Sequence, residues 1–239
     1  MLFFYIRHGM PIYDPDSLTP LGLRQAEAVG RRLAIHGIDR VYASTSTRAI
    51  QTATPCAEIT GREITQLDWC NESHAWAQLT TIVAETGRKT WGFAHPETRR
   101  VFNLPEVRRL GEEWYRHPYF EGTQYEAGIN RIRREADAFF ESLGYRHDRE
   151  NGVYIQLREN NDRVALFAHQ GFGLAFLASV LDIPYPTFCT RCDLSHSSMT
   201  VIEFREQDGV VIPKMLQMAN DSHLYKESLP TNYNGRAPV

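Results

Sequence analysis

The sequence predicts an α/β fold: a three-layer α/β/α sandwich with a mostly parallel central sheet and a helical insertion over the active site. Three observations carry this. Leu2-Phe3-Phe4-Tyr5-Ile6 and Val164-Ala165-Leu166-Phe167-Ala168 are continuous apolar runs, as strands buried on both faces of a parallel sheet are. Stretches with helical apolar spacing follow each run. The 239 residues suffice for one such domain with an insertion.

Residues 2–6 form the first strand, and Met10 to Leu18 a loop. Thr19 caps a helix with Pro20 at its first position and Gly37 past its end. Leu23, Ala26, Val29, Gly30, Leu33 and Ala34 give that helix one buried face. Arg40-Val41-Tyr42-Ala43 is the second strand. Ser44-Thr45-Ser46-Thr47 opens a second helix, which Pro55 is expected to kink or divide. Ile64 to Leu67 is a short third strand.

Residues from about 73 to 160 hold three of the four tryptophans, Trp76, Trp91 and Trp114. Helical spacing is plain from Glu126 to Leu143. This stretch reads as a mostly helical, aromatic-rich insertion within a single domain, either packed as core or lining a substrate site. Val164–Ala168 then forms a central strand, and Phe172–Leu181 a helix stopped by Pro184. Met199–Phe204 and Val210–Ile212 are expected to pair as a hairpin around Asp208-Gly209. The Pro-, Asn- and Gly-rich tail, 228–239, is expected to be flexible.

Composition narrows the function. Net charge is −3, which argues against a strongly basic nucleic-acid-binding domain. No apolar run approaches the about 20 residues that span a bilayer. The first strand starts at residue 2, leaving no room for a signal peptide, so a cytoplasmic location without membrane attachment is expected. Cys189-Thr190-Arg191-Cys192 is a C-x-x-C; without a second such pair or a thioredoxin-like context, reduced thiols are the preferred reading.

Chemistry concentrates at two strand ends. Ile6 is followed by Arg7-His8-Gly9, and Ala168 by His169-Gln170-Gly171. If the two strands are neighbours, both imidazoles arrive at one sheet edge, where ligands of open α/β sheets bind. Gly9 allows a sharp turn and close approach to an anion. Arg7 can grip a phosphate with two prongs, and His8 can act as a nucleophile. Ser44 to Arg48 adds hydroxyls, helix N-terminal amides and a second guanidinium. Such an edge suits a dianionic tetrahedral group.

The ordered set of motifs resembles the histidine phosphatase superfamily, the phosphoglycerate mutase-like proteins. The matching pieces are Arg7-His8-Gly9, Leu18-Thr19-Pro20-Leu21-Gly22 with Gln25-Ala26, Tyr42-Ala43-Ser44 with Arg48-Ala49 and Gln51-Thr52-Ala53, His169-x-Gly171, and Asn220-Asp221-Ser222-His223-Leu224. They cover roughly residues 1–72 and 163–224. The resemblance implies that His8 becomes phosphohistidine, and that Arg7, Arg48 and His169 bind the phosphoryl oxygens, with Gly9 and Ser44 at the substrate. It implies an acidic proton donor shortly after the third strand: Glu72 first, Asp68 second. No metal and no cofactor are expected, because arginines supply the positive charge.

The chain also departs from the pattern. Met10-Pro11 follows the triplet where relatives often have a polar residue, and Asp14 falls where mutase-like members place asparagine. A carboxylate there is unfavourable beside phosphate, so Asp14 receives no role. The mutases' substrate-binding and tail motifs are not evident. The resemblance therefore implies a metal-independent phosphatase acting on a phosphomonoester, with a small phosphorylated metabolite as substrate. A phosphoglycerate mutase is the enzyme alternative. A catalytically inactive phospho-ligand-binding module is the other, although Arg7, His8, Arg48 and His169 are all present. The pairs Arg99-Arg100, Arg108-Arg109 and Arg133-Arg134 are either solvated faces or substrate contacts.

Overall fold

A computed structural model of the chain describes residues 1–231 and 233. The first third contains β1 (Leu2–Arg7), β2 (Pro11–Tyr13), β3 (Asp16–Leu18), α1 (Pro20–His36), β4 (Arg40–Ser44), α2 (Thr47–Thr60) and β5 (Ile64–Leu67). The middle contains α3 (Glu72–Gln78), β6 (Thr80–Ile82), β7 (Lys89–Trp91), α4 (Pro96–Phe102), α5 (Pro105–Arg109), α6 (Tyr125–Ser142), β8 (Tyr145–Asp148) and β9 (Val153–Gln156). The rest contains β10 (Arg163–Ala168), α7 (Gln170–Val180), α8 (Tyr185–Cys189), β11 (Met199–Glu203), β12 (Glu206–Gln207), β13 (Val210–Val211), β14 (Lys214–Asn220) and α9 (Ser222–Lys226).

Alternate residues of a strand face opposite sides of a sheet, and here both sides are apolar. Phe4 and Ile6 of β1 join Ala165 and Phe167 of β10 against Val29 and Leu33 of α1 and Ala53 of α2. Phe3 and Tyr5, with Val164 and Leu166, face Phe140 of α6 and Phe176 of α7. Three layers follow. The six-stranded sheet runs β14-β11-β1-β10-β4-β5. The strands β1, β10, β4 and β5 pair parallel with one another, while β11 pairs antiparallel with both β1 and β14. Thus β10 lies between β1 and β4, and His8 and His169 leave adjacent strands at the same edge.

Local chemistry explains the helix limits. Thr19 caps α1 by accepting the Gly22 amide at 3.0 Å, and Gly37 ends it in the left-handed region at φ 73°. Ser46 caps α2 through the Ala49 amide at 3.4 Å. That helix continues through Pro55 as one element, so the expected division does not occur.

The 73–160 segment joins the same apolar cluster as one face of the sheet: Phe102, Trp114 and Tyr125 are continuous with Phe3 and Leu166. It is less helical than its spacing suggests, because it carries the β6–β7 hairpin and β8–β9. The hairpin expected around Asp208-Gly209 is also corrected. Strand β11 pairs instead with β14, whose polar residues Lys214, Gln217 and Asn220 fall at every third position and so lack the alternation that marks a strand. The turn joins only the short β12 and β13, which extend a four-stranded sheet onto β9 through Val211 and Tyr154. In the tail, Leu229 is buried with Ala28 and Leu224, so the segment starts fixed. The flexibility expected for 232 and 234–239 concerns residues outside the described ones.

Candidate active site

Parallel pairing carries His8 onto β10, where its amide donates to the Ala168 carbonyl at 2.9 Å. The imidazole Nδ1 lies 2.7 Å from the Gly9 carbonyl, so it carries the proton and donates. That leaves Nε2 as the basic ring nitrogen. Burial first, then His169 and Arg7, pushes His8 well below the ordinary histidine range. The ring is therefore neutral and nucleophilic at neutral pH.

The loop before β11 encloses the neighbouring arginine. Arg7 donates Nη1 to the Leu194 carbonyl at 2.5 Å and Nη2 to Nε2 of His196 at 2.8 Å. A guanidinium only donates, so His196 accepts through a neutral Nε2. Burial and Arg7 push His196 down to about 3. Burial lowers Arg7 to about 10, which keeps it charged at neutral pH.

Helix α2 supplies the second cation. Asp16 of the β2–β3 hairpin accepts the Thr47 amide at 2.7 Å and Nη1 of Arg48 at 2.6 Å. One carboxylate thus anchors the first turn of α2 and aims its guanidinium. Nη2 of Arg48 donates to Nδ1 of His169 at 3.2 Å. The other ring nitrogen of His169 donates to the Ser44 hydroxyl at 2.8 Å. Burial, then Arg48 and Arg7, pushes His169 well below its ordinary range. The two imidazoles meet edge to face, 5.3 Å between ring centres.

Glu72 opens α3, whose cap Asn71 accepts the Ser73 amide at 3.0 Å. Oε1 of Glu72 accepts the Phe172 amide of α7 at 3.0 Å. Asp68 is turned elsewhere: its oxygens take the Thr45 hydroxyl at 3.0 Å and pair with His74 at 2.9 Å.

A cavity of about 710 Å³ opens above these groups, lined by Arg7, His8, Arg48 and Glu72, with Trp76 and Trp91 from the 73–160 segment. The structure thus brings together four of the seven residues expected from the sequence. His169 is fully buried beneath them. Gly9 and Ser44 stand differently from expectation. The Gly9 amide is taken by Thr52 at 3.0 Å, and a Cβ on Gly9 would lie 2.6 Å from the Gly22 carbonyl oxygen. Gly9 allows β1 to turn closely against α1, and it is not among the residues lining the cavity. The Ser44 hydroxyl is spent on orienting His169. None of the arginine pairs lines the cavity; Arg133 pairs with Glu112, and the others are exposed.

Several contributors escaped the sequence. Asp16 had no signal, because the register of its hairpin on α2 is a tertiary fact. His196 lies in a polar run, Ser195 to Ser198, just before a strand, which could have marked it. The motif glutamines hold the loop: Gln25 accepts the Met10 amide at 2.8 Å and Gln51 the Leu18 amide at 2.7 Å.

A family model described as the histidine phosphatase superfamily (branch 1) matches residues 6–214. No curated protein matches the chain significantly. Solved structures share the fold. A phosphoserine phosphatase mutant from Entamoeba histolytica, solved with phosphoserine, is 17% identical with a TM-score of 0.57, over 93% of this chain and 98% of that one. A mycobacterial glucosyl-3-phosphoglycerate phosphatase is 18% identical with a TM-score of 0.57, over 90% and 97%. The alpha-ribazole phosphatase from Shigella flexneri is 16% identical with a TM-score of 0.57, over 92% and 97%.

Proposed function

Because the chain belongs to branch 1 of the histidine phosphatase superfamily, we propose that it hydrolyses a phosphomonoester through a phosphohistidine formed on His8. One observation carries the reading: a neutral imidazole with its Nδ1 proton fixed on Gly9 lines the same cavity as the guanidinium groups of Arg7 and Arg48 and the carboxyl group of Glu72.

Arg7 and Arg48 hold the phosphoryl oxygens, and Nε2 of His8 attacks phosphorus opposite the ester oxygen. As the P–O bond breaks, the three remaining oxygens become equatorial and their charge is met by fixed donors. Glu72 gives its proton to the departing alkoxide. Water then attacks the phosphohistidine, Glu72 takes a proton from it, and the P–N bond breaks to release phosphate and His8. His169 and Asp16 are positioning residues for Arg48, and Ser44 is one for His169. The cations come from the chain itself, so the reaction needs no metal or cofactor. The substrate is a small phosphorylated metabolite met in the cytoplasm; among the described residues, no helix is long and apolar enough to cross a membrane.

The test is His8→Ala. It should lose turnover of an aryl phosphate by more than about 10³-fold. Wild-type enzyme quenched in alkaline detergent during turnover should carry phosphate that is stable to base and lost in acid. Near-normal activity in the variant would overturn the reading.

A further inference from the structure

Glu72 and Trp91 flank one point at the start of α7. A Cβ placed on Gly171 would lie 2.6 Å from Oε1 of Glu72, and closer still to the benzo edge of Trp91. A proton donor must be within hydrogen-bond reach of the oxygen it protonates. On the reading that Glu72 is this donor, the leaving oxygen sits beside the indole, and the carbon skeleton attached to it runs along the ring. Trp76 continues the wall, meeting Trp91 edge to face at 4.9 Å and 81°. Phe93 stacks behind Trp91 at 5.5 Å and holds it in place.

Charge points the same way. Of the described residues lining the cavity, Arg7 and Arg48 are the cations, and the phosphoryl group claims both. The other charged side chains of the lining are Asp16 and Glu72. A second anionic group on the substrate would meet the Asp16 carboxylate and the Glu72 carboxyl group, and no further cation. Neighbouring polar groups are engaged as well: Asn71 donates to Thr45 at 2.9 Å, and Gln170 donates to Asp193. Beyond the hydroxyls of Thr45, Ser46, Thr47 and Ser73, the large side chains left in the lining are the aromatic Tyr13, Trp76 and Trp91, and aromatic surfaces favour rings and apolar carbon.

We propose that the site selects phosphomonoesters whose alcohol part is uncharged and packs an aromatic or heteroaromatic ring into the corner formed by Trp76 and Trp91, and that it disfavours alcohols bearing a carboxylate. This specificity rests on the phosphohistidine reading.

The test compares three alkyl-type esters with the full chain: 2-phenylethyl phosphate, butyl phosphate and 3-phosphoglycerate. All three leave as aliphatic alkoxides, so chemical leaving-group ability does not decide the order. Phosphate release should give a kcat/KM for the phenylethyl ester at least about tenfold above the other two, a contrast in the range of one aromatic contact. Trp76 is 37% exposed, so Trp76→Ala should fold. It should bring the phenylethyl-to-butyl ratio close to one, and Trp76→Phe should restore part of it. Equal rates, preference for 3-phosphoglycerate, or a ratio untouched by Trp76→Ala would overturn the specificity and leave the phosphatase reading standing. No hydrolysis of any ester, with no trapped phosphoenzyme, would overturn both.

Discussion

Oε2 of Glu72 lies 3.4 Å from Nδ1 of His169, while Oε1 of the same carboxyl group accepts the Phe172 amide at 3.0 Å. The Phe172 bond ties the first turn of α3 to the first turn of α7, with the carboxyl group on the cavity wall. Asp68, four residues earlier, has a side chain 72% exposed and faces His74. The hydrogen bonds from His74 and Thr45 hold it below the ordinary carboxylate range, the wrong direction for a group that must carry a proton to a leaving group.

Glu72→Gln should therefore slow an alkyl phosphate by about 10²–10⁴-fold, the usual worth of a positioned acid. A nitrophenyl ester, whose phenoxide leaves readily, should lose far less. Asp68→Asn should leave both rates near wild type. The kcat/KM values of the two esters in each variant check this, and the reverse pattern would make Asp68 the donor.

Gly171→Ala puts a methyl group where the Glu72 carboxylate and the Trp91 ring already stand. One of them must move. A displacement on the order of 1 Å at a reacting group can cost about 100-fold, so kcat should fall by roughly that factor while far-UV circular dichroism stays unchanged. A fully active Gly171→Ala enzyme would show that Glu72 is not held for catalysis.

Dialysis against a chelator should leave activity intact. Arg7 and Arg48 line the cavity, and on the proposed reading they neutralise the phosphoryl oxygens as a metal would otherwise do. A loss reversed only by an added divalent cation would contradict this.

A second charged cluster, away from the site, governs stability against pH. The buried ring of His147 lies 2.9 Å from both Asp137 and Asp182, and Arg149 grips Asp137 with two bonds of 2.8 Å. Tyr154 stacks on the ring at 3.9 Å, and burial keeps its phenol neutral. Burial alone would lower the imidazole pKa; the two carboxylate bonds outweigh it, and His147 is raised above its ordinary value. A raised value means that the folded state holds the proton more tightly. This stabilisation is full below about pH 6.5, the unfolded value, and is lost as pH rises through the folded one. Asp137→Asn should therefore lower Tm by about 3–8 °C at pH 6 and by less at pH 9. His196 and His223 act in the opposite sense. Burial pushes them to about 3 and about 4, so their stabilisation is present above pH 6.5 and is lost as pH falls toward those values. Differential scanning calorimetry of the wild type and variant at both pH values separates the two effects.

Much of this was legible in the chain. The run Phe3 to Ile6 is apolar at every position because both faces of β1 are covered, and that pattern needs no partner to be recognised. Arg7, His8, Arg48 and Glu72 follow strand or helix starts that local signals mark. What stayed hidden depends on contacts distant in sequence. Strand β14 sets polar residues at every third position, Lys214, Gln217 and Asn220, so it lacks the alternation that marks a strand at a sheet edge. Asp16 becomes a ligand of Arg48 only when its hairpin lies across the start of α2. Ser44 was expected at the substrate because its strand end points there; its hydroxyl is drawn away by an imidazole 125 residues further along.

The sheet order also sets when the site can exist. In this structure β1 is flanked by β10 and β11 alone, with Leu2 opposite Arg163 on one side and Glu203 on the other. During synthesis at ~5–20 residues per second, β1 waits on the order of 10–30 s before its first neighbour emerges. Until then Tyr5 lacks the His169 backbone that its hydroxyl bonds at 2.6 Å, and His8 has no second imidazole beside it. Long-range pairing of this kind is slow to nucleate. His8 is among the first residues made, and its surroundings are among the last parts of the fold to close, so an incomplete chain carries this imidazole without the pocket around it.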